Sequence, residues 1–227
     1  MSAALFDPAR RGTCVKICCI SSVSEAEIAL EEGADALGLV SAMPSGPGVI
    51  IDEDINRILS WVDGRRATVL LTSRRTAAQI AAQLVDARPS VLQLCDEVAA
   101  SEMEILGAEF PDIALMPVVH VRDAVSISQA RAYSVHADAL LLDSGNPTAT
   151  IPELGGTGRT HDWDMSASIV AASPVPVILA GGLRAGNVAR ALDHVRPYGV
   201  DVCSGVRQNG HLDRGLLREF ITQVRTN

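Results

Sequence analysis

Two reactive side chains in this 227-residue chain stand at the ends of short apolar runs, where a buried run opens to solvent. In C-V-K-I-C (14–18) successive side chains alternate, so Cys14, Lys16 and Cys18 share one face while Val15, Ile17 and Cys19 share the other. Apolar Val15 and Ile17 suit a face packed on helices, which turns Lys16 and Cys18 inward. L-L-L-D-S (140–144) sets Asp143 directly after a fully apolar run. A thiol and a carboxyl facing each other form an acid/base pair. Taken singly, each has a plainer role, the cysteine as inert packing and the aspartate as a turn residue. An unperturbed thiol titrates near about 8.5, so a cysteine acting as a base at neutral pH needs a positive neighbour. Lys16, one step down the same face, is the candidate.

Two glycine-bearing segments suggest an anion site. A-G-G-L-R-A-G-N-V (180–188) carries Gly181 and Gly182, and C-S-G-V-R (203–207) carries Ser204 and Gly205. Glycines let backbone N–H groups approach a phosphate closely, and a helix N-terminus behind them adds a favourable dipole. Either loop alone could simply turn the chain, but the pair on successive runs points to phosphate. A third segment, G-G-T-G (155–158), brings Gly156 and Gly158 as further phosphate ligands on a loop long enough to close over a substrate.

The elements that must hold these residues alternate along the chain. Strands are expected at 14–18, 36–40, 67–71, 91–94, 113–119, 139–142, 175–180 and 200–203. Helices are expected at 23–33, 52–62, 76–87, 99–109, 122–133, 186–194 and 213–224, with a glycine-rich loop after the sixth strand and Asp162-Trp163 as a helix N-cap with a packing aromatic. Apolar strands flanked by helices pair in parallel and are buried on both faces, and eight such units close into one (β/α)8 TIM barrel of class α/β. A single domain over 1–227 follows, with 1–12 as an irregular N-terminal extension. In such a barrel chemistry sits at the C-terminal ends of the strands, and the loops after strands 7 and 8 are the frequent phosphate site. Strand 8 neighbours strand 1, and Asp201, alternating with Val200 and Val202, faces inward; a Lys16–Asp201 ion pair in the core is therefore expected.

Composition narrows the partner. Hydrophobic residues make up 48% but aromatics only 3%, so the core must come from Ala, Val, Leu and Ile, as barrel interiors do. A formal charge of −8 without a basic run argues against nucleic acid or an anionic membrane, and favours a small-molecule ligand. The N-terminal stretch has its basic residues after its apolar ones, the wrong order for a secretory signal, and no apolar run is long enough to span a bilayer. A cytoplasmic protein is expected. The five cysteines show no metal-ligand spacing and read as free thiols.

Over nearly its whole length the chain resembles the phosphoribosylanthranilate isomerase family of tryptophan biosynthesis. The matching pieces are V-K-I-C (15–18), E-E-G-A-D-A-L-G-L-V (31–40), L-L-L-D-S (140–144), G-G-T-G-R-T-H-D-W (155–163), L-A-G-G-L-R-A-G-N-V (179–188) and V-R-P-Y-G-V-D-V-C-S-G-V (195–206). The resemblance implies an Amadori rearrangement of an aminoaldose phosphate to an aminoketose phosphate. It assigns Cys18 as the general base at C2′ and Asp143 as the general acid at the ring oxygen, and it requires neither metal nor other cofactor. A monomer or a homodimer is compatible with it.

Three departures fall on the aglycone half. The family has K-I-C-G where this chain has K-I-C-C, and Q-L-H-G where it has Q-L-C-D (93–96). After strand 2 a family S-x-R-Y-like segment, whose arginine serves the anthranilate, is here S-A-M-P-S-G-P-G-V-I (41–50), without a basic residue. Arg74 and Arg75, just after strand 3, are the candidates to replace that arginine. Two alternatives stand beside the isomerase: a paralogue acting on another phosphoribosyl-amine or sugar phosphate, and a non-catalytic barrel that binds a phosphorylated ligand.

Overall fold

A computed structural model describes residues 5–7, 9–44, 46–145 and 160–227. Eight parallel strands follow one another around a closed barrel: β1 (Cys14–Ile17), β2 (Ala36–Val40), β3 (Ala67–Thr72), β4 (Val91–Leu94), β5 (Ala114–His120), β6 (Leu140–Asp143), β7 (Val177–Leu179) and β8 (Gly199–Val202). Helices α1 (Val23–Glu31), α2 (Asp52–Val62), α3 (Ala77–Leu84), α4 (Ala100–Glu109), α5 (Val125–Tyr133), α6 (Trp163–Ala172) and α7 (Ala185–Val195) connect them, and α8 (Arg214–Arg225) follows the last strand. The (β/α)8 expectation thus holds. Among the described residues no helix is long and apolar enough to cross a membrane.

Period-two alternation sorts the strand residues into two cores. Val15, Ile17, Leu37, Leu39, Leu70, Leu92, Leu142 and Val200 point outward and pack with the helices. Cys14, Cys18, Ala36, Val69, Val91, Met116, Leu141 and Ile178 point inward and fill the barrel. Both faces are dry, which is why the strands read as unbroken apolar runs rather than alternating ones. Side-chain caps set several helix starts: Ser22, Thr76, Asp162 and Asp213 accept from Glu25 N, Gln79 N, Met165 N and Leu216 N. Each such cap contributes about 1 kcal/mol.

The structure departs from the expected alternation at Cys19. Its backbone takes a left-handed turn, φ 64°, immediately beyond β1. That turn ends the two-residue period, so Cys19 joins the inner cluster with Cys18 instead of pointing outward with Ile17. Beyond β8, a 3-10 turn (Ser204–Val206) and a two-residue hairpin, β9 (Arg207–Gln208) with β10 (His211–Leu212), fill a segment expected to be plain loop. Helix α5 starts three residues later than expected, at Val125, whose N–H is capped by Asp123 Oδ1. At the opposite end of the barrel Leu5 is buried in the inner cluster, and Tyr198 Oη donates to its carbonyl at 2.8 Å.

The barrel closes at the β8–β1 seam, where Lys16 pairs in register with Asp201. Lys16 is 1% exposed, and its Nζ donates to Asp201 Oδ1 at 2.8 Å. An unpaired charge at that depth is costly, so removing one partner should cost about 3–5 kcal/mol. Urea denaturation should show this loss for Lys16→Met, with most of it recovered in Lys16→Met/Asp201→Asn; a single variant as stable as the parent would show that the pair does not hold the seam.

Candidate active site

The inward residues at the C-terminal strand ends define one mouth. Cys18 follows β1 directly, anchored by its N–H donating to Val202 O at 2.8 Å. Gly38, on the inner face of β2, makes room for it. A Cβ built there would lie 3.2 Å from Lys16 Nζ and 3.3 Å from Cys18 Sγ. Lys16 ammonium and Cys18 thiol therefore crowd the same small volume, and negative charge at Cys18 favours the ammonium. Asp201, the strongest favourable influence on Lys16, holds the ammonium charged despite complete burial.

Asp143 ends β6, buried on the same mouth. Burial pushes its carboxyl up to about 6, with the negative charge of Asp201 adding to the effect. Two hydrogen bonds from Ser144, its N–H at 2.7 Å and its hydroxyl at 3.4 Å, oppose the shift without cancelling it. The result is a carboxyl that holds or releases a proton near neutrality.

The loops after β7 and β8 pack backbone on backbone. Gly181 and Gly182 have φ values of 82° and 62°, a conformation that favours glycine. Gly205 sits so close to the β7 loop that a Cβ would lie 2.0 Å from Leu183 O. Ser204 opens the 3-10 turn beside it. Asn187 Oδ1 accepts from Arg184 N and its Nδ2 donates to Gly182 O, which fixes the loop against the start of α7. Gly156 and Gly158 lie outside the described residues.

Arg74 and Arg75 make their contacts away from these groups. Arg74 lines a groove between α2 and α3, with Asp52, Gln79 and Asp86, and its buried Nη1 has no partner there. Arg75 Nε donates to Glu97 O in the loop before α4. Neither contact involves Cys18, Asp143 or the loops after β7 and β8. Segment 41–50 turns back on itself, with Ile50 N donating to Val40 O, and Met43 packs half-buried against the inner cluster.

Two residues escape a reading based on motifs. His120 ends β5 on the inner face, in register with Asp143, and is 6% exposed. Its Nε2 lies 3.2 Å from Cys95 O. A carbonyl only accepts, so Nε2 carries the hydrogen and the buried, unpartnered Nδ1 presents a lone pair. Burial lowers its pKa, keeping the ring neutral. Period-two counting along β5 would have found it, since Met116, Val118 and His120 share one face. The second is Arg207, whose Nη2 donates to the carbonyls of Cys18 and Cys19 while its guanidinium grips buried Glu25 at 3.0 Å. It fastens the end of β1 to α1 and the hairpin. Nothing local in the sequence marks a pair 182 residues apart.

Fold and mouth together define a (β/α)8-barrel enzyme of the isomerase class. A family profile described as N-(5'-phosphoribosyl)anthranilate (PRA) isomerase matches residues 15–223, and the chain belongs to that family. It is 36% identical to N-(5'-phosphoribosyl)anthranilate isomerase of Methanocella arvoryzae over 94% of this chain and 98% of that protein. The Haloferax volcanii enzyme of the same name is 35% identical, with 94% of each chain covered. Among solved structures, phosphoribosyl anthranilate isomerase from Thermotoga maritima superposes with a TM-score of 0.81 at 28% identity, covering 95% of this chain and all of that one.

Asp143 also carries a stability test. Its folded carboxyl titrates above its unfolded value, so the native state is penalised as the group ionises. The penalty is absent below the unfolded value of 3.8, grows between there and about 6, and stays constant above. Its full size is about 3 kcal/mol. Asp143→Asn keeps an acceptor for Ser144 N and should be more stable than the parent by roughly that amount at pH 8, with the gap closing towards pH 4. Urea midpoints at the two pH values check this; a gap independent of pH would contradict the burial argument.

Proposed function

We propose that this isomerase converts N-(5'-phosphoribosyl)anthranilate into 1-(carboxyphenylamino)-1-deoxyribulose 5-phosphate, with Asp143 as general acid and Cys18 as general base. The observation that carries the assignment is the electrostatic pairing at one mouth: a carboxyl raised to about 6 on β6 and a thiol crowded by a buried ammonium on β1. In this reading the protonated Asp143 gives its proton to the furanose oxygen. The C1′–O bond breaks, its electron pair goes to that oxygen, and the amine lone pair forms a C1′ iminium. Cys18 thiolate then takes the C2′ proton, and the freed pair forms the C1′–C2′ double bond of an enolamine while neutralising the nitrogen. Ketonisation moves a proton from the 2′-hydroxyl to C1′ and yields the aminoketose. Backbone N–H groups around Gly181, Gly182, Ser204 and Gly205 hold the phosphate; Gly156 and Gly158, the other expected phosphate ligands, lie outside the described residues.

The aglycone wall is built differently from the family pattern. Met43 stands where the S-x-R-Y-like segment has its arginine, so the aromatic ring meets an apolar surface there. His120 Nδ1, an acceptor, suits the substrate's amine N–H or a sugar hydroxyl and not its carboxylate. Of the two arginines, exposed Arg75 after β3 is the better partner for that carboxylate, because Arg74 turns into the α2–α3 groove. The same rewriting favours the second reading, a paralogue whose aglycone lacks a carboxylate. The crystal structure of a phosphoribosyl anthranilate isomerase in complex with reduced 1-(o-carboxyphenylamino)-1-deoxyribulose 5-phosphate, 26% identical to this chain with a TM-score of 0.78, supports a phosphoribosyl ligand at this mouth.

Growth of a tryptophan auxotroph lacking this isomerase, with the chain supplied in trans, should be restored. Cys18→Ala and Asp143→Asn should each lower kcat by about 10²–10⁴-fold while remaining folded. Folded, expressed protein that fails to restore growth would select the paralogue, and an unchanged kcat in either variant would remove that residue's role.

A further inference from the structure

Three of the five cysteines meet where the barrel closes, and the isomerisation uses only one of them. Cys19 Sγ lies 2.7 Å from Cys203 Sγ and 3.8 Å from Cys18 Sγ. The first distance is well inside the roughly 3.5–4.0 Å at which heavy atoms rest in contact, whereas the second is ordinary contact. Backbone geometry sets this up. Ile17 pairs with Val202 across the β1–β8 seam, so Cys19 and Cys203 both lie just past the paired strand ends. The left-handed turn at Cys19 then swings its side chain off the outer face and onto Cys203. That conformation is strained for a residue other than glycine, and the family pattern has glycine there. Pro47 lies against Cys19, its carbonyl oxygen 3.5 Å from the Cys19 Sγ.

We propose that Cys19 and Cys203 are a thiol-modification site, a pair that peroxide or a small-molecule disulfide converts reversibly into a disulfide bridging the ends of β1 and β8. The division of labour follows from the surroundings. Cys203 is half-buried and reachable, while Cys19 is buried. The hydrogen bond with Cys19 lowers the Cys203 pKa, helped by the nearby Arg207 guanidinium, while contacts with Cys18 and then Cys203, together with burial, raise that of Cys19. Cys203 is therefore the attacking thiolate and Cys19 the resolving thiol. With hydrogen peroxide, Cys203 sulfur attacks one oxygen, the O–O bond breaks, and the hydroxide released takes up a proton to leave as water. Cys19 sulfur then displaces the hydroxyl of the resulting sulfenic acid as a second water. Two thiols and one peroxide give one disulfide and two waters, and Cys18 keeps its thiol.

The bridge would join positions 184 apart, tying the first strand to the last. Closing so long a loop restricts the unfolded chain strongly, so the oxidised protein should melt on the order of 10 °C higher than the reduced one.

The full chain is treated with stoichiometric hydrogen peroxide or oxidised glutathione, denatured, and its thiols counted. The expected result is a fall from five thiols to three, a Cys19–Cys203 peptide in the mass map, Cys18 still alkylatable, and a Tm rise that dithiothreitol reverses. Cys203→Ser and Cys19→Gly should each abolish the crosslink and the Tm rise; the glycine also suits the left-handed backbone. Retention of five thiols, a bond mapped to Cys18, or a crosslink that survives Cys203→Ser overturns the proposal. If a variant does not fold, the mass map and Tm of the parent chain alone decide it. None of these readouts depends on the substrate.

Discussion

Lys16 and Asp201 sit at the only seam where the chain's first and last strands must find each other, and both are buried among barrel side chains. A parallel barrel gains nothing from that seam until every intervening unit is in place, so the register there has to be unambiguous. Apolar side chains alone specify it weakly, because a shift by two residues keeps every face correct. A buried ammonium and carboxylate do not tolerate such a shift, since each would lose its partner in a dry interior. Lys16 is therefore a device of registry as well as of charge. Its ammonium also lies beside the Cys18 thiol, so the seam and the proposed base share one cation.

The polar groups of the mouth rise from this pair in a graded way. Asp201 neutralises Lys16, and its negative charge helps keep Asp143 protonatable, while desolvation supplies most of that effect. Burial raises both carboxyls; at Asp201 the direct bond from Lys16 opposes it, and at Asp143 the bonds from Ser144 and the more distant charge of Lys16 do. The cost is local instability at Asp143, which accords with the proton-transfer role proposed for it. The β7 and β8 loops carry no such conflict. They are rigid because Gly205 lies against Leu183 O and Asn187 bonds across its own loop.

How much of this was legible in the sequence depends on the range of the interaction. The barrel was, because eight apolar runs separated by capped amphipathic stretches leave few other solutions. Lys16 facing Asp201 followed from period-two alternation once closure was assumed. His120 obeyed the same period and was passed over because no motif pointed to it. The hairpin at Arg207–Leu212 was also readable: Asn209 and Gly210 have φ values of 53° and 81°, the pair of positive angles that an Asn-Gly turn supplies. Arg207 gripping Glu25, and Arg74 turning into a groove between helices, were not readable, since each depends on where distant elements come to rest.

Cys19 shows where alternation itself stops being a guide. Strand periodicity holds only while φ stays extended, and the residue after a strand is the first that need not obey. In the family pattern that residue is glycine, which has no side chain to redirect. Here a cysteine takes a left-handed turn, so the one residue both strains the backbone and delivers a sulfur into the mouth beside Cys203. The strain persists because Arg207 bonds the carbonyls of Cys18 and Cys19 and leaves the turn no freedom to relax. The substitution thus places a second sulfur at the closing seam, 3.8 Å from Cys18 and against Cys203.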